Sequence, residues 1–401
     1  MVTFDPERLA HVDELESLDR SAMLRSLATA GAQVRRAVTT TRESGVLDLV
    51  SRDRPRAIVV AAMGADDLIA DAVTTLAARH SPIVVASAHD LPLPGWVGSL
   101  DLVLAVSLSG RAPGPVRLAL EAGRRGATVV TIGAADSPLA DAAARARGRH
   151  VPVPTGLAHG PLASRSAAWS MLTPALLSLA GHGVVPIDIP TVEAAADRLD
   201  EVAEASRPSS ESFVSPAKIL ALGIGTSLPL VLADGPLSGV AARRAATMLS
   251  RSARIPVMVG ELPDAAAQVL ACIDGPYAAA TAPQGGRDIF ADPFLDGPVR
   301  PEVSVLMVRD AMTPDAMTPD AGGSAQVSPE DAARINLAHG VADLVTARGT
   351  RLHELTPAPG PDLVRLAELI ALIDFATTYL ALGYGLDPAS APAVVDLRAL
   401  R

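Results

Sequence analysis

The chain has 401 residues, 49% of them hydrophobic and 19% charged, with a mean hydropathy of +0.30. A sequence of that length and apolarity is not a disordered chain, and it is long enough for two or three domains with cores of their own. A net charge of −10 leaves no broad basic footprint, and 2% aromatic residues argue against a stacking platform, which together argue against DNA or RNA as the main partner. An anionic small molecule stays compatible, because a local site can invert the global sign. Lys218 is the only lysine and reads as the start of a buried strand, so Schiff-base chemistry has one poor candidate. Cys272 is the only cysteine, which removes intramolecular disulfides and zinc clusters and leaves no implied metal or other cofactor.

In chain order, the first thirty residues carry Asp5, Glu7, Asp13, Glu14, Glu16 and Asp19, which is not a secretory signal. Met23, Leu24, Leu27, Val34 and Val38 recur at helical spacing. Strands are then expected at 57–62, 83–86, 102–106, 128–132 and 151–153, with helices at 66–79, 115–125 and 139–146 between them. Apolar runs without internal alternation, most of them followed by a helix, predict a parallel sheet covered on both faces. A long helix over 164–180 bridges to a second series: strands at 219–222, 255–259, 303–308 and 351–355, with helices at 240–249, 332–347 and 362–382. The apolar stretch near 366–386 is interrupted by Glu368 and Asp374, so no membrane span is expected and a cytoplasmic protein is the default reading. The expected division is an N-terminal helical segment over 1–45, a first domain over 46–163, a bridge over 164–190 and a second domain over 191–401. The region 274–302 is rich in Gly, Pro and Asp and reads as loop. The tandem Asp310-Ala311-Met312-Thr313-Pro314 and Asp315-Ala316-Met317-Thr318-Pro319 reads as a slipped insertion in a surface loop.

In doubly wound sheets, ligands bind at the carboxyl ends of strands. Three loops qualify in the first half: 62–67, 107–111 and 162–166. The middle one, Ser107-Leu108-Ser109-Gly110-Arg111, carries two hydroxyls, a turning glycine, a helix start and a planar cation suited to phosphate. The same residues also fit a plain helix cap and turn.

Ser107-Leu108-Ser109-Gly110 matches the S-x-S-G loop of sugar isomerase (SIS) domains, and the whole chain resembles the tandem-SIS bifunctional phosphoglucose/phosphomannose isomerases. That family's Met-Leu pair, its G-M-G-G-S loop, its Y-x-L-P-x-W-V stretch and its P-R-A-A segment are similar in order to four stretches here. They are Ser21-Ala22-Met23-Leu24, Ala62-Met63-Gly64-Ala65-Asp66, 89–97 ending in Trp96-Val97, and Ser164-Arg165-Ser166-Ala167. Gly385-Leu386-Asp387-Pro388 and Asp396-Leu397-Arg398 continue the likeness to the C-terminus. The resemblance implies two α/β SIS-like doubly wound domains, each with a parallel sheet flanked by helices. It also implies a homodimer and a hexose phosphate or related anionic carbohydrate as ligand. On its pattern, Gly64, Asp66, Ser107, Ser109, Gly110 and Arg111 line the substrate, and Arg165 steadies charge near the carbonyl. The implied reaction is an aldose–ketose shift, in which a carboxylate moves the proton beside the carbonyl.

The departures fall on the chemistry. The phosphate-binding Thr of the family is Ala112, and its G-M-G-G-S serine is Asp66. A carboxylate ~5 Å from a phosphate charge costs roughly 3 kcal/mol at an effective dielectric of ~20. The H-N-E motif that supplies the family's base is missing, with Gln268 near its place and Glu261 the nearest glutamate. No histidine lies between His182 and His339, and the C-terminal lysine is Arg398. Glu261, Arg165 and Arg398 are therefore the candidates for catalysis, Glu261 fitting a capped turn or an Arg pair better than a base. Gly223-Ile224-Gly225-Thr226-Ser227 is either a second anion loop or ordinary punctuation, and His159 sits in a Gly-Pro loop. Two functions follow: a sugar-phosphate-binding protein with isomerase chemistry, or a non-catalytic sensor or partner on the same fold. A DNA-binding regulator is a distant third, because its N-terminal segment is too short and acidic for a helix-turn-helix.

Overall fold

The computed structural model describes residues 3–50, 54–154, 162, 165–279, 301–310, 317–319, 325–327 and 329–399. His159, Ser164 and most of the 274–302 loop lie outside the described residues. The chain divides into two compact units. The first is Ser21–Glu204 with Asp362–Ala367; the second is Met1–Arg20, Ala205–Pro361 and Glu368–Arg401.

The first unit opens with a short helix, Met23–Leu27, and then α1 (Ala30–Glu43), the helical stretch that the periodicity predicts. Five strands follow: β1 (Ala57–Ala61), β2 (Val84–Ala88), β3 (Leu102–Ser107), β4 (Thr128–Ala134) and β5 (Arg149–Val153). The helices are α2 (Asp67–Ala78), α3 (Pro113–Arg124), α4 (Pro138–Arg145), α5 (Ala168–Ala180) and α6 (Ile189–Ala205). The sheet is wholly parallel in the order β2-β1-β3-β4-β5, with Ile58 opposite Leu102 and Ser107 opposite Gly133. Val59, Val103 and Val129 pack with Leu118 of α3 and Leu139 of α4, while Ile58, Val60 and Leu104 are buried on the opposite face. Burial of both alternating sets explains why the strands read as unbroken apolar runs. The edge strand β2 is the exception, with Val84 64% exposed.

The second unit contains α7 (Pro216–Ile224), β6 (Ser227–Ala233), α8 (Pro236–Met248), β7 (Met258–Glu261), α9 (Ala266–Ile273) and β8 (Glu302–Val308). The chain continues through β9 (Met317–Pro319), β10 (Ala325–Val327), α10 (Pro329–Ala347), β11 (Arg351–Leu355), α11 (Asp362–Gly383) and α12 (Pro392–Ala399). Its parallel sheet runs β11-β8-β6-β7, so counted from its own first strand it has the same 2-1-3-4 order as the first unit. β9 and β10 form a separate antiparallel ribbon, which takes in the last residues of the duplicated pentapeptide; Ala311–Ala316 lie outside the described residues. α11 is long and apolar enough to cross a membrane by length and composition, but 89% of that window is buried inside the protein.

One expected strand is a helix. The run 219–222 lies in α7, where Ser215 caps the helix, Pro216 starts it, and Ala217, Lys218, Ala221 and Ile224 form the buried side. Ile219 points outward, 49% exposed. Lys218 is buried because its Nζ donates to the carbonyls of Leu9, Pro208 and Ser210 at 2.7, 2.7 and 2.8 Å. The strand itself is β6, whose Pro229 argues against a central strand. Pairing with β7 begins only at Leu230, so that flank of the strand is open at Pro229.

The turn after β3 depends on Gly110. Its φ is +63°, and a Cβ there would stand 2.1 Å from Ser137 Oγ and 2.3 Å from Ser137 Cβ. Ser137 is fixed in turn as the cap of α4, donating to the Ala134 carbonyl at 2.6 Å and accepting from the Ala140 N–H. Gly110→Ala is expected to cost about 2–3 kcal/mol, of which roughly 1–2 is the left-handed backbone alone. Urea unfolding measures the loss, and adding Ser137→Gly should restore only the part due to steric overlap; full recovery would show that the backbone carries no strain.

Two half-buried histidines contribute an acid limit. His150 on β5 places Nδ1 2.8 Å from Thr131 Oγ1, and its Nε2 is buried without a hydrogen-bond partner; His353 Nε2 on β11 is the same. Burial lowers the pKa of both, and the Arg351 charge lowers His353 further. The unfolded chain, with histidines near pKa ~6.5, therefore takes up protons first as pH falls. Stability is lost below that value by up to ~1.4 kcal/mol per pH unit per histidine, until the folded pKa is reached. The urea midpoint is expected to fall between about pH 7.5 and about pH 5.5, and to fall less in His150→Asn; an equal fall in the variant would exclude His150 as a source.

Candidate functional site

In the β2-β1-β3-β4-β5 sheet the chain leaves β1 toward one edge and returns at β3 toward the other. The loops at their carboxyl ends therefore diverge and leave a crevice, the usual ligand position of this topology. The structure brings Gly64 and Asp66 together there with the 107–111 loop. Gly64 has a φ of +68° and no atom within 4 Å of where a Cβ would stand, so the backbone at this point borders open space. Asp66 closes the short turn Gly64–Asp66 and is 9% exposed; its Oδ2 accepts from the Leu108 N–H at 3.0 Å. One carboxylate thus joins the two loops.

The 107–111 loop satisfies much of itself. Ser107 Oγ is buried and accepts from the Ala112 N–H at 3.3 Å, Ser109 Oγ accepts from the Arg111 N–H at 3.3 Å, and the Gly110 N–H donates to the Ser107 carbonyl at 2.8 Å. α3 begins two residues earlier than its apolar pattern indicates, with Pro113 and Pro115 both in its first turn. Neither proline has an N–H, so the helix N-terminus offers a ligand fewer amides than the sequence reading supposes. What remains open to a ligand are the hydroxyl of the exposed Ser109 and the exposed Arg111, whose guanidinium makes no ion pair among the described residues.

The third loop contributes a buried Arg165, 2% exposed, in the turn before α5. Its neighbour Ser166 accepts from Ser26 Oγ at 2.8 Å, and the Ser166 carbonyl accepts from Gln33 at 2.8 Å. The loop after β2 is not marked for chemistry by its residue types, yet it reaches the same crevice. His89 Nδ1 lies 3.1 Å from Asp67 Oδ1 and 3.2 Å from the Ala62 carbonyl. Burial pushes the Asp67 carboxyl up from its ordinary range, and His89 pulls it down. The signal in the sequence is positional: an acid opening the helix after β1, and a histidine directly after β2.

Glu261 and Arg398 belong to the second unit. Glu261 ends β7 and forms an ion pair with Arg243 of α8, lying over Gly239, where a Cβ would meet Glu261 Cδ at 2.8 Å. Arg398 lies in α12, and its side chain is outside the described atoms. Gly223-Ile224-Gly225-Thr226-Ser227 lies at the amino end of β6, the wrong end for an anion loop. Gly225 leaves room for the Phe4 ring, Tyr384 donates to the Gly225 carbonyl at 2.7 Å, and Ser227 Oγ donates to the Ile224 carbonyl at 2.9 Å.

The carboxyl ends of β6 and β8 hold instead a cluster that the sequence does not reveal. Asp310 Oδ1 accepts from the Ser238 N–H of α8 at 2.5 Å, and the Asp310 N–H donates to Asp234 Oδ1 at 2.6 Å. Arg309 pairs with Asp234 at 2.7 Å and with Glu354 at 2.6 Å, and Arg334 donates to the Asp234 carbonyl at 2.8 Å. Burial and the Asp234 charge push the Asp310 carboxyl up, against the pull of the Ser238 N–H. Only glycine fits at 235, where a Cβ would stand 2.4 Å from Asp310 Oδ2. Among the described residues, no group of three or more His, Cys, Asp or Glu is arranged to hold a metal ion.

Residues 213–400 match the model of the bacterial phospho-glucose isomerase C-terminal SIS domain. No curated protein matches the chain by sequence. Among solved structures, the chain is similar to a protein assigned as a phosphosugar isomerase from Silicibacter pomeroyi, with 22% identity and a TM-score of 0.57 over 91% of this chain and 99% of that one. It is also similar to the glucosamine-6-phosphate deaminase of Thermotoga maritima, with 12% identity and a TM-score of 0.59 over 92% and 97% of the two chains. A glucose-6-phosphate isomerase like protein of Thermus thermophilus follows, with 17% identity and a TM-score of 0.51 over 96% and 99%. At these identities the likeness is one of fold. Both units share the parallel topology of that fold, and residues 213–400 are similar to the C-terminal SIS domain of bacterial phosphoglucose isomerases.

Proposed function

We propose that the chain binds a hexose phosphate, or a closely related anionic carbohydrate, in the crevice of the first unit. The observation that carries this reading is the convergence of the 62–66 and 107–111 loops at the β1/β3 switch, with the exposed Ser109 hydroxyl and the unpaired Arg111 beside them. A guanidinium offers two parallel N–H donors to a phosphate, and hydroxyls donate to its remaining oxygens. Asp66 then limits the pose: a phosphate is favoured on the Arg111 side of the loop, away from the carboxylate.

The reaction class proposed on this fold is the aldose–ketose shift of hexose 6-phosphates. It moves hydrogen within one molecule and needs no added cofactor. The second reading, a non-catalytic sensor or partner protein, is favoured by Glu261, whose carboxylate is tied to Arg243, and by the amide of Gln268 on α9. An amide takes no proton, and a carboxylate neutralised by an arginine is a weaker base. Binding with weak or absent turnover on glucose 6-phosphate and mannose 6-phosphate is therefore the form of the function proposed. A second copy of the chain is the proposed partner and the cytoplasm the proposed location, with neither nucleic acid nor membrane as a partner.

A thermal-shift panel of hexose phosphates on the purified chain tests the reading. A phosphorylated hexose is expected to raise the melting temperature where the free sugar does not. Ser109→Ala with Arg111→Ala should weaken binding by roughly 1–3 kcal/mol for each charge-assisted hydrogen bond removed. Unchanged affinity in the double variant would sink the assignment of this loop, and a ligand bound without turnover would select the sensor.

A further inference from the structure

The crevice of the first unit contains a proton-handling pair that the resemblance does not supply. Asp67 opens α2 after the β1 loop, and His89 directly follows β2. With Asp67 Oδ1 at 3.1 Å and the Ala62 carbonyl at 3.2 Å, His89 Nδ1 faces two acceptors and no donor. That arrangement keeps the hydrogen of the neutral ring on Nδ1 and leaves the lone pair on Nε2. Nε2 has no partner among the described residues, and the side chain is 60% exposed.

The pair is also held against the loops that line the crevice. Asp90 accepts from Arg117 of α3 through both carboxylate oxygens, one of them at 2.9 Å, which anchors the segment after β2 on that helix. The His89 carbonyl stands 1.9 Å from where a Cβ on Gly114 would be, so His89 rests on the first turn of α3. That turn is the direct continuation of the Ser107–Arg111 loop. The carboxyl ends of β1, β2 and β3 thus carry, on loops that meet at the start of α3, a base with a free lone pair, an acid that orients it, an exposed hydroxyl and one unpaired guanidinium.

We propose that His89, oriented by Asp67, is the proton-transfer group of the first-unit site and acts on an aldose or ketose phosphate. The proposal rests on the sugar-phosphate reading above. In the aldose direction, Nε2 takes the proton from C2, the C2–H electron pair becomes the C1=C2 bond, and the carbonyl pair moves onto O1. The O2–H proton passes to O1, the C2=O2 bond forms, and the imidazolium returns its proton to C1. Atoms and electrons balance within the sugar, with no oxidant or reductant. Asp67 offsets the imidazolium charge while it lasts.

The test follows proton exchange, which registers chemistry too slow to register as net turnover. The full chain is incubated with fructose 6-phosphate in deuterium oxide, and loss of the C1 proton signal is followed by NMR alongside ligand-induced thermal shift. The wild-type chain is expected to bind and to exchange faster than a protein-free control. His89→Asn keeps a donor at the Nδ1 position; it should stay folded and keep the thermal shift while exchange falls about 100-fold or more. Asp67→Asn should lower exchange by about 10- to 100-fold. Binding with exchange undiminished in His89→Asn, or binding with no exchange in the wild-type chain, overturns the proton-transfer role and leaves the binding reading standing. Absence of binding by any hexose phosphate overturns the binding reading, and the dyad with it.

Discussion

The first-unit crevice depends on one tight backbone turn. Gly110 adopts a left-handed conformation, and Ser137, fixed as the cap of α4, leaves no space for a side chain beside it. The turn sends the chain from the buried end of β3 into α3, puts Ser107 inside and Ser109 and Arg111 outside, and presses the start of α3 against the loop after β2. Close backbone approach recurs at Gly133, where a Cβ would lie 2.1 Å from the Ser107 carbonyl. The loop is therefore a rigid consequence of how β3, β4 and α4 meet, and its hydroxyls are held in place before any ligand arrives.

Each unit has the same strand order, and each places a carboxylate across its switch point. In the first unit Asp66 reaches from the β1 loop to the Leu108 amide; in the second, Asp310 reaches from the β8 loop to the Ser238 amide of α8. The physical need is the same in both. Loop and helix-start amides at the ends of the strands are donors without partners in the regular structure, and an internal anion satisfies them when no ligand does. The outcomes differ in what is left over. Around Asp310, the arginines 309 and 334 are engaged with Asp234, Glu354 and Asp331. Around Asp66, Arg111 stays unpaired among the described residues, and the backbone at Gly64 borders open space. That asymmetry is why the binding reading is attached to the first unit.

The fate of the carboxylate at 261 shows how pairing decides chemistry. Glu261 survives near the place where the resembled family carries its base, but its partner is Arg243 and its position is the edge strand of the second sheet. In the first unit the relation is reversed: Asp67 is paired with a histidine, whose second ring nitrogen stays available. An arginine holds a carboxylate ionised and occupied, whereas a neutral histidine gives the carboxylate its Nδ1 hydrogen and keeps a lone pair on the nitrogen at the far side of the ring.

The sequence by itself determined the parallel α/β class, the apolar strands of the first sheet, and the identity of the loop with two serines, a glycine and an arginine. These are legible because a strand buried on both faces is apolar without alternation, and a turn of positive φ favours glycine. Tertiary structure decided the rest. The 219–222 run is apolar under either period, and only the Ser215 cap, the Pro216 start and three carbonyls gathered around Lys218 make it a helix. Pro229 conceals a central strand because its effect depends on where the neighbouring strand begins to pair. The cluster of Asp234, Arg309, Asp310 and Arg334 spans 100 residues of sequence, and the His89–Asp67 pair spans two strands. Charged partners far apart in the chain leave no periodic trace, because only the order of strands in a folded sheet sets which loops share a crevice.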